Sequence, residues 1–211
     1  MERKHIITLT GKPGSGKSST ADRVAEMLGY TRYSSGTLVR SLLEEEGLTL
    51  AEYNQSANNN TSFDDKIDKK LRELRNRDDI VIDARLGFYW IPESFKVYLD
   101  LNVDIATARI YNDVRDNITR KHELQQSNHE LLTATESVRK RVTEERSRFK
   151  KLYNIDPFDT TRFDLVIDTS RHSPDTVALT VYDNYRKWLV TKHWIQVQSS
   201  VPLGYSFKNR Y

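Results

Sequence analysis

The chain has 211 residues, enough for one domain with a proper core, or one domain carrying an inserted lid. Its 33 basic and 30 acidic residues leave a net charge of +3, too mild to argue for nucleic acid as the main partner, while a pI of about 8.9 tolerates an anionic ligand. Cysteine is absent, which excludes disulfide frameworks, thiol catalysis and cysteine-held metals and fits a reducing compartment.

The opening MERKHIITLT passes from charges straight into a short apolar run. It lacks the features of a signal peptide, and no segment reaches the length needed to span a bilayer, so a cytoplasmic protein without a membrane partner is expected. His5 to Leu9 is rich in β-branched residues and runs into glycine, predicting a buried strand. From Lys17 the period changes: Ala21, Val24, Ala25 and Leu28 share a helical face that Gly29 ends. Tyr30 to Tyr33 predicts a second strand. A helix follows Ser34-Ser35-Gly36, with Leu38, Leu42 and Leu43 inward and Gly47 as its stop. Thr49 to Leu74 reads as helical in two pieces, split by the polar cluster Asn58 to Ser62.

Ile80 to Asp83 is a third strand, apolar as strands covered on both faces are, and Phe95 to Leu99 a fourth. Helix is predicted from Val103, broken near Asn117 and again at Gln125 to Asn128, and resuming from Thr135 to Tyr153. Phe163 to Asp168 is the fifth strand. Ser173-Pro174 caps a last helix with Val177, Val181, Tyr185 and Trp188 on one side. Five strands alternating with helices predict an α/β fold, a five-stranded parallel sheet with helices on both faces. Residues 1–193 are read as a single domain, and residues 194–211 as a tail without clear period.

Three of the eight glycines fall within six positions, in Gly11-Lys12-Pro13-Gly14-Ser15-Gly16-Lys17-Ser18. This fits G-x-x-x-x-G-K-[ST] without deviation and lies between a predicted strand and a predicted helix, the context the motif demands. Wrapping a polyphosphate needs successive backbone N–H groups aimed inward, in conformations that a Cβ obstructs. The helix start adds its positive dipole end. Gly11, Gly14, Ser15, Gly16, Lys17, Ser18 and Ser19 are therefore the candidate nucleotide-binding residues. Lys17 is placed to reach the β- and γ-phosphates of ATP, and the Ser18 hydroxyl to ligate Mg²⁺. Asp83, at a strand's carboxyl end, is a candidate to hold a metal-bound water, or is a plain strand-ending aspartate.

No Asn-Lys-x-Asp segment occurs, which argues against a regulatory GTPase, and the single acid after the third strand argues against motor and AAA-type ATPases. Arg109, Arg115, Arg120, Arg139, Arg141, Arg146 and Arg148 crowd a helical region broken by a polar linker. They read as a mobile lid closing over phosphates, or as partners of Glu136, Glu144 and Glu145 on a solvated face. Phe88-Tyr89-Trp90 could stack on a pyrimidine or seal the sheet edge. His122 and His129 read as a solvated face rather than a metal pair. Asp168-Thr169 falls near the expected adenine end or packs against the phosphate loop.

Four further segments carry a resemblance: SSGTLVR (Ser34 to Arg40), IDARLGFYW (Ile82 to Trp90), RVTEERSRFKKLYNID (Arg141 to Asp156) and FDLVIDTS (Phe163 to Ser170). In order and spacing the chain, over roughly residues 4–190, resembles the nucleoside monophosphate kinases, and specifically the short, archaeal-type cytidylate kinases. That resemblance implies a P-loop kinase fold with a monophosphate-binding region at about 35–79 and a lid at about 115–140. It implies transfer of the γ-phosphoryl group of ATP–Mg²⁺ to CMP or dCMP, small-molecule partners only, and a monomer. By it Ser35, Arg40 and Arg85 hold the acceptor nucleotide, while Lys17, Arg109, Arg115, Arg141 and Arg148 surround the transferred group. Ala84 stands where the family has glycine, Val142 where it has an acid after the arginine, and Asp83 where many members have glutamate.

A phosphate acceptor is already ionised near neutral pH and needs no general base, so positioning and charge neutralisation are the protein's work. A hydroxyl kinase on the same fold is the alternative, with Asp64, Asp65 or Asp83 as candidate base. An ATP-binding regulatory protein is a third reading, supported only by the aromatic and basic tail. The Asn117 to Asn128 linker is expected to be mobile.

Overall fold

The computed structural model describes residues 4–48, 62–116 and 131–191, apart from the side chains of 62–64, 111–116, 131–134 and 137. The Asn117 to Asn128 linker, with Arg120 and His122, lies outside these residues, as do His129, the first half of the 49–74 stretch, and the tail. Among the described residues no helix is long and apolar enough to cross a membrane.

Five strands form one sheet in which every pairing is parallel: β1 (Ile6–Gly11), β2 (Thr31–Ser34), β3 (Ile80–Asp83), β4 (Phe95–Asp100) and β5 (Leu165–Asp168). Their order is β2-β3-β1-β4-β5. The chain leaves β1 for β2 and β3 on one side and later crosses to β4 and β5 on the other. β1 is therefore the switch point, where such sheets open a crevice at the carboxyl ends. Registers of Leu9 on Asp83, Ser34 on Asp83, Gly11 on Leu99 and Asp100 on Asp168 bring all five strand ends to that edge.

Alternation along the strands divides the core in two. Ile7, Leu9, Val81, Val97 and Leu99 face α1 (Lys17–Leu28) and the C-terminal helix, Pro174–Thr191. Ile6, Ile80 and Ile82 face α2 (Ser35–Glu46) and α3 (Ser62–Glu73) on the opposite side. The predicted helix ends hold for a physical reason. Gly29 and Gly47 are both left-handed, and each closes a paired hydrogen-bond cap, Tyr30 N to Ala25 O at 2.8 Å and Leu48 N to Leu43 O at 2.8 Å.

A single turn, α4 (Gly87–Trp90), leads from β3 toward β4. Beyond the sheet centre lie α5 (Val103–Asp116), α6 (Leu131–Tyr153) and α7 (Pro174–Thr191). Ser173 caps α7 as its sequence predicts, accepting the Thr176 N–H at 3.2 Å. Two boundaries differ from expectation. α6 begins at Leu131 rather than Thr135, and β5 at Leu165 because Phe163 ends a 3₁₀ turn and packs on Tyr98 and Phe88 instead.

Candidate active site

The loop between β1 and α1 is built by backbone. Gly11 runs so close to β4 that a Cβ there would lie 2.3 Å from the Leu99 carbonyl oxygen, so no side chain fits. Gly16, at φ +80°, is left-handed and opens α1 with no side-chain cap on its first-turn N–H groups. Lys17 Nζ donates to the carbonyls of Gly11 and Lys12, each at 3.0 Å, which holds the ammonium inside the loop. Ser15 Oγ is buried with no hydrogen-bond partner among the described residues. Uncapped N–H groups, a buried orphan hydroxyl and an inward ammonium together fit a polyphosphate.

Desolvation of the Lys17 ammonium pulls its pKa well below the ordinary lysine value. Arg85 adds to this, while Asp83 and Glu145 oppose it. An anion entering the loop supplies the charge that reverses the shift.

Ser18 Oγ donates to Asp83 Oδ2 at 2.8 Å, so a hydroxyl and a carboxylate stand side by side at the loop's exit. Arg32 Nη2 reaches the same carboxylate oxygen at 3.2 Å, and its Nη1 reaches Asp22 Oδ1 at 2.6 Å. Oxygen donors suit a hard cation such as Mg²⁺. Among the described residues no cluster of three or more histidine, aspartate or glutamate side chains could cage a metal. A cation at Ser18 and Asp83 would therefore complete its shell with phosphate oxygens and water.

Arg85 follows β3 and turns back over the loop, donating Nη1 to the Gly11 carbonyl. Its other edge is gripped by Glu145 of α6: Nε to Oε2 at 2.7 Å and Nη2 to Oε1 at 3.3 Å. This side-on grip uses the Nε–Nη2 edge and directs the terminal Nη1–Nη2 fork toward the loop. Arg141 Nε joins the same carboxylate at 3.2 Å. Burial alone would raise the Glu145 pKa, but Arg85 and then Arg141 outweigh it and hold the carboxyl below its ordinary value.

Other sequence candidates scatter. Arg109 is tied to the end of β5, donating to Thr169 O at 2.7 Å and Ser170 O at 3.3 Å, so among the described residues its hydrogen bonds do not reach the phosphate loop. Thr169 in turn donates to Asp100 O at 3.0 Å. Arg148 is half-buried on α6, two turns beyond Arg141. Arg115 has an undescribed side chain. Arg139 and Arg146 take the solvated reading, paired with Asp104 at 3.7 Å and Asp156 at 3.0 Å. Ser19 is half-buried and its carbonyl accepts from Arg23 at 3.2 Å. Ser35 starts α2, and Arg40 is exposed, donating to Thr37 Oγ1 at 3.3 Å. Phe88 is buried against Phe163, with ring centroids 4.7 Å apart, which removes it as a base-stacking residue.

Two residues gained weight only in three dimensions. Glu145 reads in sequence as a helical partner of Arg141, four residues away, yet it also binds Arg85 across 60 positions. Arg32 carries no local signal, because its partners lie on α1 and β3.

Comparison with known proteins places this geometry. Residues 6–171 match the model of the cytidylate kinase-like family. A cytidylate kinase of Halobacterium salinarum is 35% identical over 181 residues, covering 84% of this chain and 88% of the relative. An S-adenosylmethionine-dependent nucleotide dehydratase of Lacinutrix mariniflava is 33% identical over 187 residues, covering 87% of this chain but 36% of that longer protein. Among solved structures, shikimate kinase of Bacteroides thetaiotaomicron superposes with a TM-score of 0.61 at 16% identity, covering 88% of this chain and 98% of that one, a likeness of P-loop kinase fold. The chain belongs to the cytidylate kinase-like family.

Proposed function

We propose that this protein is an ATP-dependent kinase that passes the γ-phosphoryl group of ATP to CMP or dCMP, giving CDP or dCDP. Family membership supports the activity. The observation that carries the chemistry is the convergence of Lys17 and Arg85, one from the donor loop and one from the acceptor side, on the single carbonyl of Gly11. A phosphoryl group passing between two nucleotides must cross such a point, with cations on both sides of it.

In this reading the backbone from Gly11 to Ser19 cradles the ATP phosphates. Ser18 and Asp83 hold Mg²⁺, which when bound neutralises charge on the β- and γ-phosphate oxygens. Arg85, oriented by Glu145, offers the end of its fork to the acceptor phosphate. Arg141 and Arg148 line the same face of α6, and Arg115 joins them from the lid. Arg109 serves the adenosine end, beside Thr169. Ser35 and Arg40 belong to the acceptor region at 35–79. The acceptor's second phosphate pKa lies near 6, so an ionised oxygen attacks without a general base. A hydroxyl kinase is not favoured, since the curated relatives that match over most of the chain include cytidylate kinases. The family resemblance supports a monomer, the mild charge supports free nucleotides rather than nucleic acid as partners, and the lack of cysteine fits a reducing compartment such as the cytoplasm, with residues 1–193 as one catalytic domain.

The test is ADP formation from ATP–Mg²⁺ with CMP, dCMP, UMP, AMP and GMP in turn. CMP and dCMP are expected to support turnover, and Lys17→Ala to lower kcat by about 10²–10³-fold, the scale of a lost preorganised charge. Absence of turnover with all five, in a protein that still binds ATP, overturns the reading.

A further inference from the structure

Arg32 has no part in the phosphoryl-transfer reading, yet it holds the carboxylate to which that reading assigns the metal. β2 is an edge strand, and its Arg32 pairs in register with Val81, whose side chain packs in the core beneath α1. The Arg32 side chain therefore runs along the α1 face of the sheet toward the strand ends. There Nη2 donates to Asp83 Oδ2 at 3.2 Å, and Nη1 donates to Asp22 Oδ1 at 2.6 Å. Ser18, which donates to the same Asp83 oxygen at 2.8 Å, stands one helical turn before Asp22 on α1. Ser18, Asp83, Arg32 and Asp22 thus close a ring at the root of the phosphate loop.

One side of this ring is built to open. Asp83 is only 6% exposed and is the fixed member, whereas the Asp22 side chain is 59% exposed. Arg32 grips Asp83 through one nitrogen, and its Nε is buried with no hydrogen-bond partner among the described residues. The two-nitrogen grip that makes arginine–carboxylate pairs strong is therefore not made. A guanidinium released from Asp83 keeps its second partner, Asp22. Release on that side costs little.

We infer that Arg32 is a resident counter-cation of the metal site, a positioning residue that occupies the Asp83 carboxylate until a divalent cation takes its place, and then withdraws to Asp22. The inference rests on the placement of the metal at Ser18 and Asp83 in the kinase reading above. Charge gives the reason. A buried carboxylate without a partner is costly, so Asp83 needs a cation whether or not a metal is bound. Lys17 and Arg32 together balance Asp83 and Asp22, so a bare divalent cation meets no surplus of negative charge in this ring. A polyphosphate in the loop supplies that surplus. Arg32 thus sets a threshold that a lone divalent cation meets poorly and a nucleotide-bound one overcomes. Such an exchange responds to a ligand only through its different affinity for the two arrangements, and here the difference is the Asp83 oxygen that Arg32 holds.

The plain alternative is a tie between β2 and α1 that ignores the metal. Titration with Mn²⁺ followed by electron paramagnetic resonance, with and without ADP, separates the two for wild type, Arg32→Met, Asp22→Asn and the double variant. Arg32→Met, which keeps the length and loses the charge, is expected to bind Mn²⁺ about tenfold more tightly than wild type in both conditions, the scale of one partly screened unit charge. Asp22→Asn leaves Arg32 with Asp83 alone and should weaken Mn²⁺ binding about three-fold, as much as one exposed ion pair supplies. In the Arg32→Met background the same Asp22 change should have no effect, because Asp22 acts through Arg32. An Mn²⁺ affinity in Arg32→Met equal to or weaker than that of wild type overturns the inference. Additive effects in the double variant also overturn it, since a mere field of charges would add. If Arg32→Met does not fold, an unchanged Mn²⁺ affinity in Asp22→Asn overturns it. Mn²⁺ binding that survives Asp83→Asn sinks the metal placement on which the inference stands. Arg32-dependent Mn²⁺ affinity in a protein that phosphorylates no nucleotide would keep the exchange and sink the kinase reading. Turnover of CMP with Arg32-independent Mn²⁺ affinity would do the reverse.

Discussion

The two halves of the proposed active site are made of different material. The donor half is a run of consecutive residues, Gly11 to Ser18, whose working parts are backbone N–H groups, one ammonium and one hydroxyl. Its glycines are forced by local geometry, as the 2.3 Å approach of a Gly11 Cβ to Leu99 O makes plain. The acceptor half has no such run. Arg85 follows β3, Glu145 and Arg141 come from α6, and side-chain ion pairs join the three. A backbone-built site keeps its shape when substrate is absent and tolerates few substitutions. A side-chain-built one is adjustable, which suits the half proposed to receive the acceptor. The fold is shared with shikimate kinase, and a fold by itself does not fix the acceptor.

That contrast can be broken at Arg85. Its replacement by alanine removes a side chain that bridges the halves, from Gly11 O to Glu145. Catalytic efficiency with CMP should fall by about 10²-fold, mostly in the acceptor term, with KM for ATP little changed. An equal loss for both substrates would show that Arg85 supports the loop rather than the acceptor.

Gly11→Ala probes the donor half in the opposite manner. Here the expected cost is to the fold, about 1–3 kcal/mol of overpacking against a β4 backbone that has no flexible end to yield. Chemical denaturation measures it, and a variant as stable as wild type would mean that β1 and β4 separate easily at this edge.

The finest test uses pH. The Glu145 carboxyl has a folded pKa below its unfolded value of about 4.3, so its pairing contributes stability that is present above that value and lost as pH falls through the folded pKa. Glu145→Gln removes this dependence, and its stability should fall less steeply than that of wild type below about pH 4.3. Parallel acid limbs in the two proteins would show that the Arg85 and Arg141 contacts with Glu145 do not stabilise the fold.

Much of the donor half was legible in the chain. The motif, the strand before it and the helix after it are local, and so are the caps at Gly29 and Gly47, because each depends on hydrogen bonds spanning a few residues. Short apolar, β-branched runs pointed to the five strands, and their alternation with helices to a parallel arrangement. Arg85 and Arg141 were legible as candidates, and the resemblance of four segments gave them roles. Of the two roles open to Phe88 the structure shows packing, since the ring is buried against Phe163, and nothing local distinguishes it from its neighbours aimed at Tyr153.

Sequence by itself thus determined the class of fold, the phosphate loop and the residue types able to serve phosphoryl transfer. Those properties follow from backbone conformation and from periodicities of two and 3.6 residues. Tertiary structure alone decided which charges meet. It set Glu145 against both Arg85 and Arg141, joined Arg32 to Asp83, sent Arg109 to Thr169, and buried Asp68 under Tyr153. Coulomb attraction and hydrogen bonding act through space over a few ångströms. Partners 60 or 85 positions apart become neighbours only after the sheet order and the course of α6 have been fixed.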